Sequence, residues 1–384
     1  MQSILHYSSL ALSIASHGII AVGMVLIGIV FSSKPRWVLL ALVGYCAVIA
    51  FLFVPTEHDD LYRYWWLIDR FRDYGWSGIK ALYVNNYWFH TSYLYQLLLY
   101  GLSFFPNQLT GALVSCATYT MIGILDFRFF EEKQISPRLQ SAIILLQFLS
   151  IDPYSVISSW LYMLTFSIMA NILYTDLVEQ KGQILCMIAY LLLGQMHTVA
   201  YVIFAFRIIV RLLPASARGA FLVCILLWRI FVKVMVAIAA LFTGNMIAKR
   251  IFENLVYYSS LEENGNLIYM IALALFATAC LLCIRRNQKE EADGNRRESM
   301  DDLVSCCCMF VLGAWGSQNL MFRFSHFVMM LLPLHIGTTL IRENEQRPFK
   351  MASLEIFLFY ISVGLLLVYY MLQSYRWLLN RFLI

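Results

Sequence analysis

Two apolar runs, residues 10–31 and 37–54, follow one another with only Ser32-Ser33-Lys34-Pro35-Arg36 between them. A helix needs about 20 apolar residues to cross the hydrocarbon of a bilayer. The same pattern of apolar run and short polar break continues through 91–105, 108–125, 139–151, 155–175, 183–196, 198–213, 219–242, 266–284, 303–316, 324–341 and 352–372. Only 13% of the 384 residues are charged, where a soluble domain carries about 25%. The expected fold is all-α: a polytopic transmembrane bundle of about eleven to thirteen hydrophobic segments, forming one integral membrane domain over residues 1–384. A closed β-barrel would need short alternating segments, and these runs are continuous. The tail from Gln373 to Ile384 has the amphipathic pattern of a surface segment.

Charge placement gives the topology. Lys34 and Arg36 mark the first turn as cytoplasmic, and Arg285 to Arg297, the most basic loop, falls on the same side. The N-terminus, with no basic n-region, reads as a retained first helix. Residues 55–90 then form an extracytoplasmic loop, rich in Tyr and Trp and closed by Asn85-Asn86-Tyr87-Trp88-Phe89-His90. Counting back from the basic loop makes the polar turn at 126–138 cytoplasmic; counting forward from Lys34 puts it outside. The run 91–105 is short for a span, so one run between 91 and 125 is expected to be re-entrant.

The segment Pro55-Thr56-Glu57-His58-Asp59-Asp60-Leu61-Tyr62-Arg63-Tyr64-Trp65-Trp66 is the first strongly charged stretch. If Asp59–Trp66 is helical, Asp59 and Arg63 are i,i+4, as are Asp60 and Tyr64, and Asp60 and Arg63 are i,i+3. A carboxylate there suits general-base work on a sugar hydroxyl, and an arginine suits a pyrophosphate leaving group. An interfacial helix braced by local salt bridges, with Trp65 and Trp66 in the aromatic belt, fits the same residues. His197 interrupts a long apolar stretch, and Arg323 and His326 stand i,i+3 before another. Intramembrane polar groups of this kind mark function or helix-to-helix hydrogen bonding. Arg323 is the candidate phosphate contact. Arg207 and Arg211 are expected to snorkel to headgroups; Arg229 and Lys233 lie deep in an apolar run.

There is no GxxxxGK[ST] loop, no HExxH and no GxSxG elbow in the sequence, and no plausible metal cluster. Most of the nine cysteines, including Cys280, Cys283 and Cys306-Cys307-Cys308, sit in apolar runs and read as helix packing. The net charge of +5 is spread over loops, which argues for membrane topology and against nucleic acid.

The acidic segment Asp59-Asp60-Leu61-Tyr62-Arg63-Tyr64 after the second helix, the junction around His197 and the late Arg323 before an apolar helix occur in an order that resembles the EpsG family, which groups with Wzy-type polymerases of bacterial surface polysaccharides. The resemblance covers nearly the whole chain. It departs where the family often carries a basic residue and this chain has Ser158-Ser159-Trp160-Leu161. It implies a GT-C-like, metal-independent glycosyltransferase of the bacterial inner (cytoplasmic) membrane, without cofactors. Its substrates would be undecaprenyl-pyrophosphate-linked oligosaccharides, joined at the extracytoplasmic face into O-antigen, capsule or exopolysaccharide, with a chain-length regulator as a further partner. On that reading Asp60, Asp59 and Arg63 are catalytic, and Glu57, Tyr64, His197, Arg323 and His326 bind substrate.

Two other classes remain open. A flippase or transporter of lipid-linked glycans would show pseudo-symmetric halves and charge lining a central cavity. A membrane acyltransferase would need an intramembrane histidine within reach of a cytoplasmic acyl donor.

Overall fold

The computed structural model describes residues 18–57, 59–82, 92–228, 266–290, 298–346 and 353–373. Among these residues every regular element is helical: α1 (Gly18–Val30), α2 (Pro35–Leu52), α3 (Asp60–Leu82), α4 (Tyr93–Leu102), α5 (Asn107–Lys133), α6 (Pro137–Ser150), α7 (Pro153–Ser158) and α8 (Trp160–Leu173). A π-turn (Tyr174–Val178) follows, then α9 (Gln183–Met196), α10 (Val199–Leu212), α11 (Ala215–Leu226), α12 (Leu267–Glu290), α13 (Glu298–Gly313) and α14 (Gln318–Met330). A second π-turn (Pro333–Gly337) leads into α15 (Thr338–Gln346), and α16 (Leu354–Gln373) closes the series. Asn85 to His90, Arg229, Lys233 and residues 374–384 lie outside the described residues.

Among the described residues, five elements are long and apolar enough to cross a membrane: α2, α5, α8 with its π-turn, α12 and α16. The pair α14 and Pro333–Asn344, bent by 49°, adds a sixth if it is one broken span. The chain is therefore a multi-pass, all-α membrane protein. The expected eleven to thirteen runs do not all become spans, because polar breaks cut them short. The helices α6 and α9 have 14 residues each, about 21 Å of rise against roughly 30 Å of hydrocarbon.

The described residues form two compact units, one drawn from 18–172, 182–200 and 367–373, the other from 173–181 and 201–366. In the first unit, α2 packs along α5. Gly123 of α5 lies where any Cβ would meet the Leu39 side chain, and Gly111 faces the Ala50 carbonyl, 3.5 Å from where its Cβ would stand. The beginning of one helix thus meets the end of the other. Lys34 and Arg36 at the head of α2 share a cavity with Glu131 and Gln134 at the tail of α5 and with Gln140 of α6. The two helices are antiparallel, and the turn after α5 sits at the Lys34 end.

This geometry corrects the forward count from Lys34, which now brings the turn at 126–138 back to the Lys34 side. Helix α4 has 10 residues, about 15 Å, half of what a crossing takes. Only α5 carries the chain back to the Lys34 end. The turn between α4 and α5 is clamped by Arg72 of α3, which donates from Nε to Ser103 O (3.0 Å) and from Nη2 to Phe105 O (2.7 Å) and Asn107 Oδ1 (3.1 Å). Asp69 completes the clamp by pairing with Arg72 and accepting from Asn107 Nδ2.

Much of the segment expected as an outer loop is itself the helix α3, broken at Gly75, whose φ of 63° and ψ of −172° leave the helical region. Leu61, Ile68 and Phe71 are buried along one side. Tyr62, Trp66, Arg70 and Tyr74 recur every four residues along another, and Arg70 lies 5.1 Å from the Trp66 ring and 5.6 Å from that of Tyr74.

In the second unit, α13 packs against α11, α12 and α14. Phe310 stacks on Trp228 at 4.9 Å and meets Phe324 at 4.4 Å. The Gln318 side chain accepts from Asn266 N at 2.9 Å, so the start of α14 meets the start of α12, at the end away from Arg285 and Arg286. Arg207 does not snorkel. It is buried in a two-pronged pair with Asp176, Nε to Oδ2 at 2.7 Å and Nη2 to Oδ1 at 2.8 Å.

Candidate functional site

The acidic segment is held by a partner 95 residues away. Asp59 precedes α3 and turns back: its Oδ2 accepts from Thr56 N (2.6 Å) and Thr56 Oγ1 (3.1 Å). Its Oδ1 accepts from Tyr154 Oη at 2.6 Å. Asp59 is buried, and both of its oxygens are engaged. The expected i,i+4 pairing of Asp59 with Arg63 is not made, because the helix begins one residue later and the Asp59 side chain faces the turn.

Asp60 opens α3. Its Oδ2 accepts from Ser159 Oγ at 3.0 Å, and its Oδ1 meets Arg63 Nη1 at 3.5 Å. The Asp60 side chain stays 35% exposed and that of Arg63 69% exposed, so the pair is a loose surface bridge worth about 0–1 kcal/mol. Of the two aspartates, Asp60 is the one left accessible to solvent. Glu57 is exposed and makes no hydrogen bond to this cluster among the described residues. The Tyr64 ring lies 4.8 Å from that of buried Trp160.

The partners of Asp59 and Asp60 come from one short element. Asp152 caps α7, accepting from Tyr154 N (3.1 Å), Ser155 N (3.2 Å) and Ser155 Oγ (2.7 Å). Asp at the N-cap with Pro at the next position is a strong helix start. The cap fixes Tyr154 in the first turn and sets Ser159 just past the last. Burial pushes the Asp152 carboxyl up to about 6, against the opposing effect of the bonds from Ser155 and Tyr154.

His197 ends α9 in extended backbone, its Nδ1 accepting from Val199 N at 3.3 Å. Its ring lies 6.0 Å from Tyr162 of α8. The first unit thus gathers Asp59, Asp60, Tyr64 and His197 around the stretch Tyr154–Tyr162. The Asp152-Pro153 signature was visible in the sequence as a break. Nothing in the sequence announced that Tyr154 and Ser159 face the acidic pair. Ser159, just past the end of α7, offers its hydroxyl to Asp60.

Arg323 and His326 belong to the second unit. Arg323 is half-buried on α14. His326 is 1% exposed, with its ring 4.2 Å from that of Phe322, edge to face. That places His326 in an aromatic interior and not on a surface open to a glycan, because the apolar face of α14 turns inward.

The second unit also holds a buried polar cluster that the sequence reading missed. His335, in the second π-turn, has its Nδ1 3.5 Å from Asp301 Oδ1. Asn287 Nδ2 donates to His335 O at 3.2 Å, and Arg342 Nη1 donates to Asn287 Oδ1 at 3.1 Å. No group of three His, Cys, Asp or Glu residues among the described residues could hold a metal ion.

Compared with protein-family models, with curated proteins and with solved structures, the chain matches none.

Proposed function

We propose that this chain is a GT-C-like membrane glycosyltransferase that polymerises lipid-pyrophosphate-linked oligosaccharide units at the extracytoplasmic face of a bacterial cytoplasmic membrane. The observation that carries the reading is Asp60. It is a half-accessible carboxylate presented by the first turn of α3 and oriented by Ser159, on a helix that also carries the exposed rings of Tyr62, Trp66 and Tyr74 on another face. It lies beyond the end of α2 opposite Lys34 and Arg36, the end that the distribution of positive charge assigns to the outside.

In this reading Asp60 takes the proton of the acceptor hydroxyl as its oxygen bonds to the anomeric carbon of the donor sugar. The bond from that carbon to the pyrophosphate breaks, and its electron pair leaves with the lipid pyrophosphate. Asp59 holds the turn that presents Asp60. The exposed rings offer apolar faces to sugar units. Arg323, in the second unit, is proposed separately as a phosphate contact on the chemistry of its planar fork. The test is glycan length in cells that carry Asp60→Asn at matched membrane level. Single repeat units are expected, and polymer of normal length would overturn the assignment. Arg323→Lys should be nearly as damaging as Arg323→Ala, since lysine keeps the charge and loses the two-pronged geometry.

A second reading is favoured by one observation. Buried His335 lies in a bent span and faces Asp301 of α13 at 3.5 Å, and ionisable groups inside a span mark proton relays in carriers. A transporter of lipid-linked glycans would lose uptake or flipping in His335→Gln, whereas a polymerase would keep normal chain length unless folding failed.

A further inference from the structure

A cavity of about 550 Å³ opens between the start of α2 and the end of α5. Lys34, Arg36 and Glu131 all line it. Each is exposed, and among the described residues none of their side chains is in a salt bridge, although the neighbouring Lys133 pairs with Glu132. Gln134 adds an amide, and Trp37 and Phe127 form an apolar wall. The Trp37 ring is 57% exposed.

Both helices are membrane spans, so a cavity at their ends falls in the headgroup layer, where basic pockets between helices bind lipid headgroups. The charge pattern narrows the ligand. A purely anionic headgroup would set a like charge against Glu131. A water-soluble phosphate would leave the Trp37 and Phe127 wall unused. A phosphodiester that also carries a primary amine satisfies every group: the phosphate on Lys34 and Arg36, the ammonium on Glu131, the acyl chains along the rings. We propose that this cavity binds an aminophospholipid headgroup, of which phosphatidylethanolamine is the simplest. The proposal is independent of the reaction at Asp60.

The experiment uses the full chain in nanodiscs of phosphatidylethanolamine and phosphatidylglycerol, with retained lipid measured by native mass spectrometry. Wild type should retain phosphatidylethanolamine in preference to phosphatidylglycerol. Each of Lys34→Gln and Arg36→Gln should weaken retention of both lipids by about fivefold, the effect of one basic group at a lipid surface. Glu131→Gln should abolish the preference while retention of phosphatidylglycerol rises. Thermal unfolding of each variant checks the fold, and the Glu131→Gln swap is a change of selectivity that misfolding cannot imitate. Equal retention of the two lipids by wild type would overturn the proposal. So would displacement of the lipid by an equal concentration of soluble phosphoethanolamine.

Discussion

Tyr154 donates its hydroxyl to Asp59 at 2.6 Å, joining the first turn of α7 to the approach to α3 across 95 residues of sequence. The bond divides two adjacent carboxylates into different roles. Tyr154→Phe removes a hydrogen bond to a charged group and should cost about 1.5–3 kcal/mol. Asp59→Ala should cost at least as much, because Thr56 loses its acceptor too. Asp60→Asn should leave the unfolding free energy within about 1 kcal/mol of wild type, while glycan length collapses. Thermal unfolding in detergent beside glycan profiling distinguishes the two. Equal destabilisation by Asp59→Ala and Asp60→Asn would refute the division.

The antiparallel packing of α2 and α5 predicts sidedness. Single cysteines at Ser33 and Gln134 should react with a membrane-impermeant reagent from one and the same side. A cysteine at Phe104, exposed in the turn between α4 and α5, should react from the opposite side. Labelling of Phe104→Cys and Gln134→Cys from the same side would mean that α5 does not cross.

The Arg207–Asp176 pair is buried on both sides, at 4% and 0% exposure. Removing one partner of such a pair strands the other charge and costs about 3–5 kcal/mol. Arg207→Met and Asp176→Leu should each reduce yield and thermal stability by that order, and the double variant should recover most of the loss. An arginine reaching for headgroups would show no such recovery.

Asp152 gives the fold a pH dependence. Its folded value of about 6 stands above the ordinary 3.8, so the folded chain holds a proton that the unfolded chain has released. Stability from this group is fully present below about pH 4 and is lost as pH rises through about 6. Hydrogen exchange of α7 should therefore slow as pH falls from 7 to 5, after correction for the intrinsic rate. Asp152→Asn keeps a good cap and should flatten that response. An unchanged response in Asp152→Asn would assign it elsewhere.

The apolar runs announced an all-α membrane fold, because unpaired backbone in hydrocarbon leaves few alternatives. The shortness of 91–105 also pointed to a segment that does not cross, and α4 is that segment. Helix α3 was harder to read as a helix. Its buried positions Leu61, Ile68 and Phe71 are masked by the tyrosines, tryptophans and charges on its other faces. The site itself was half legible. Asp60 stood out by local charge, whereas Ser159, Tyr154 and the inward turn of Asp59 depend on contacts across nearly a hundred residues. Arg207 was misread for the same reason: its partner Asp176 lies on another element, and sequence spacing carries no sign of it.

Two of the buried ionisable groups of the second unit, Asp176 and His335, sit in π-turns. In the first of these, Glu179 N donates to Tyr174 O at 3.0 Å, a bond spanning five residues instead of four. A π-turn holds one residue more than the α-helix it interrupts. Deleting a residue there would still leave a good helix, but everything beyond it would rotate by about 100°. Asp176 could then no longer keep its angle to both the helix before it and the Arg207 side chain. Substitutions around these turns are thus tolerable in kind, while insertions and deletions are not. The two segments count residues more strictly than they choose them.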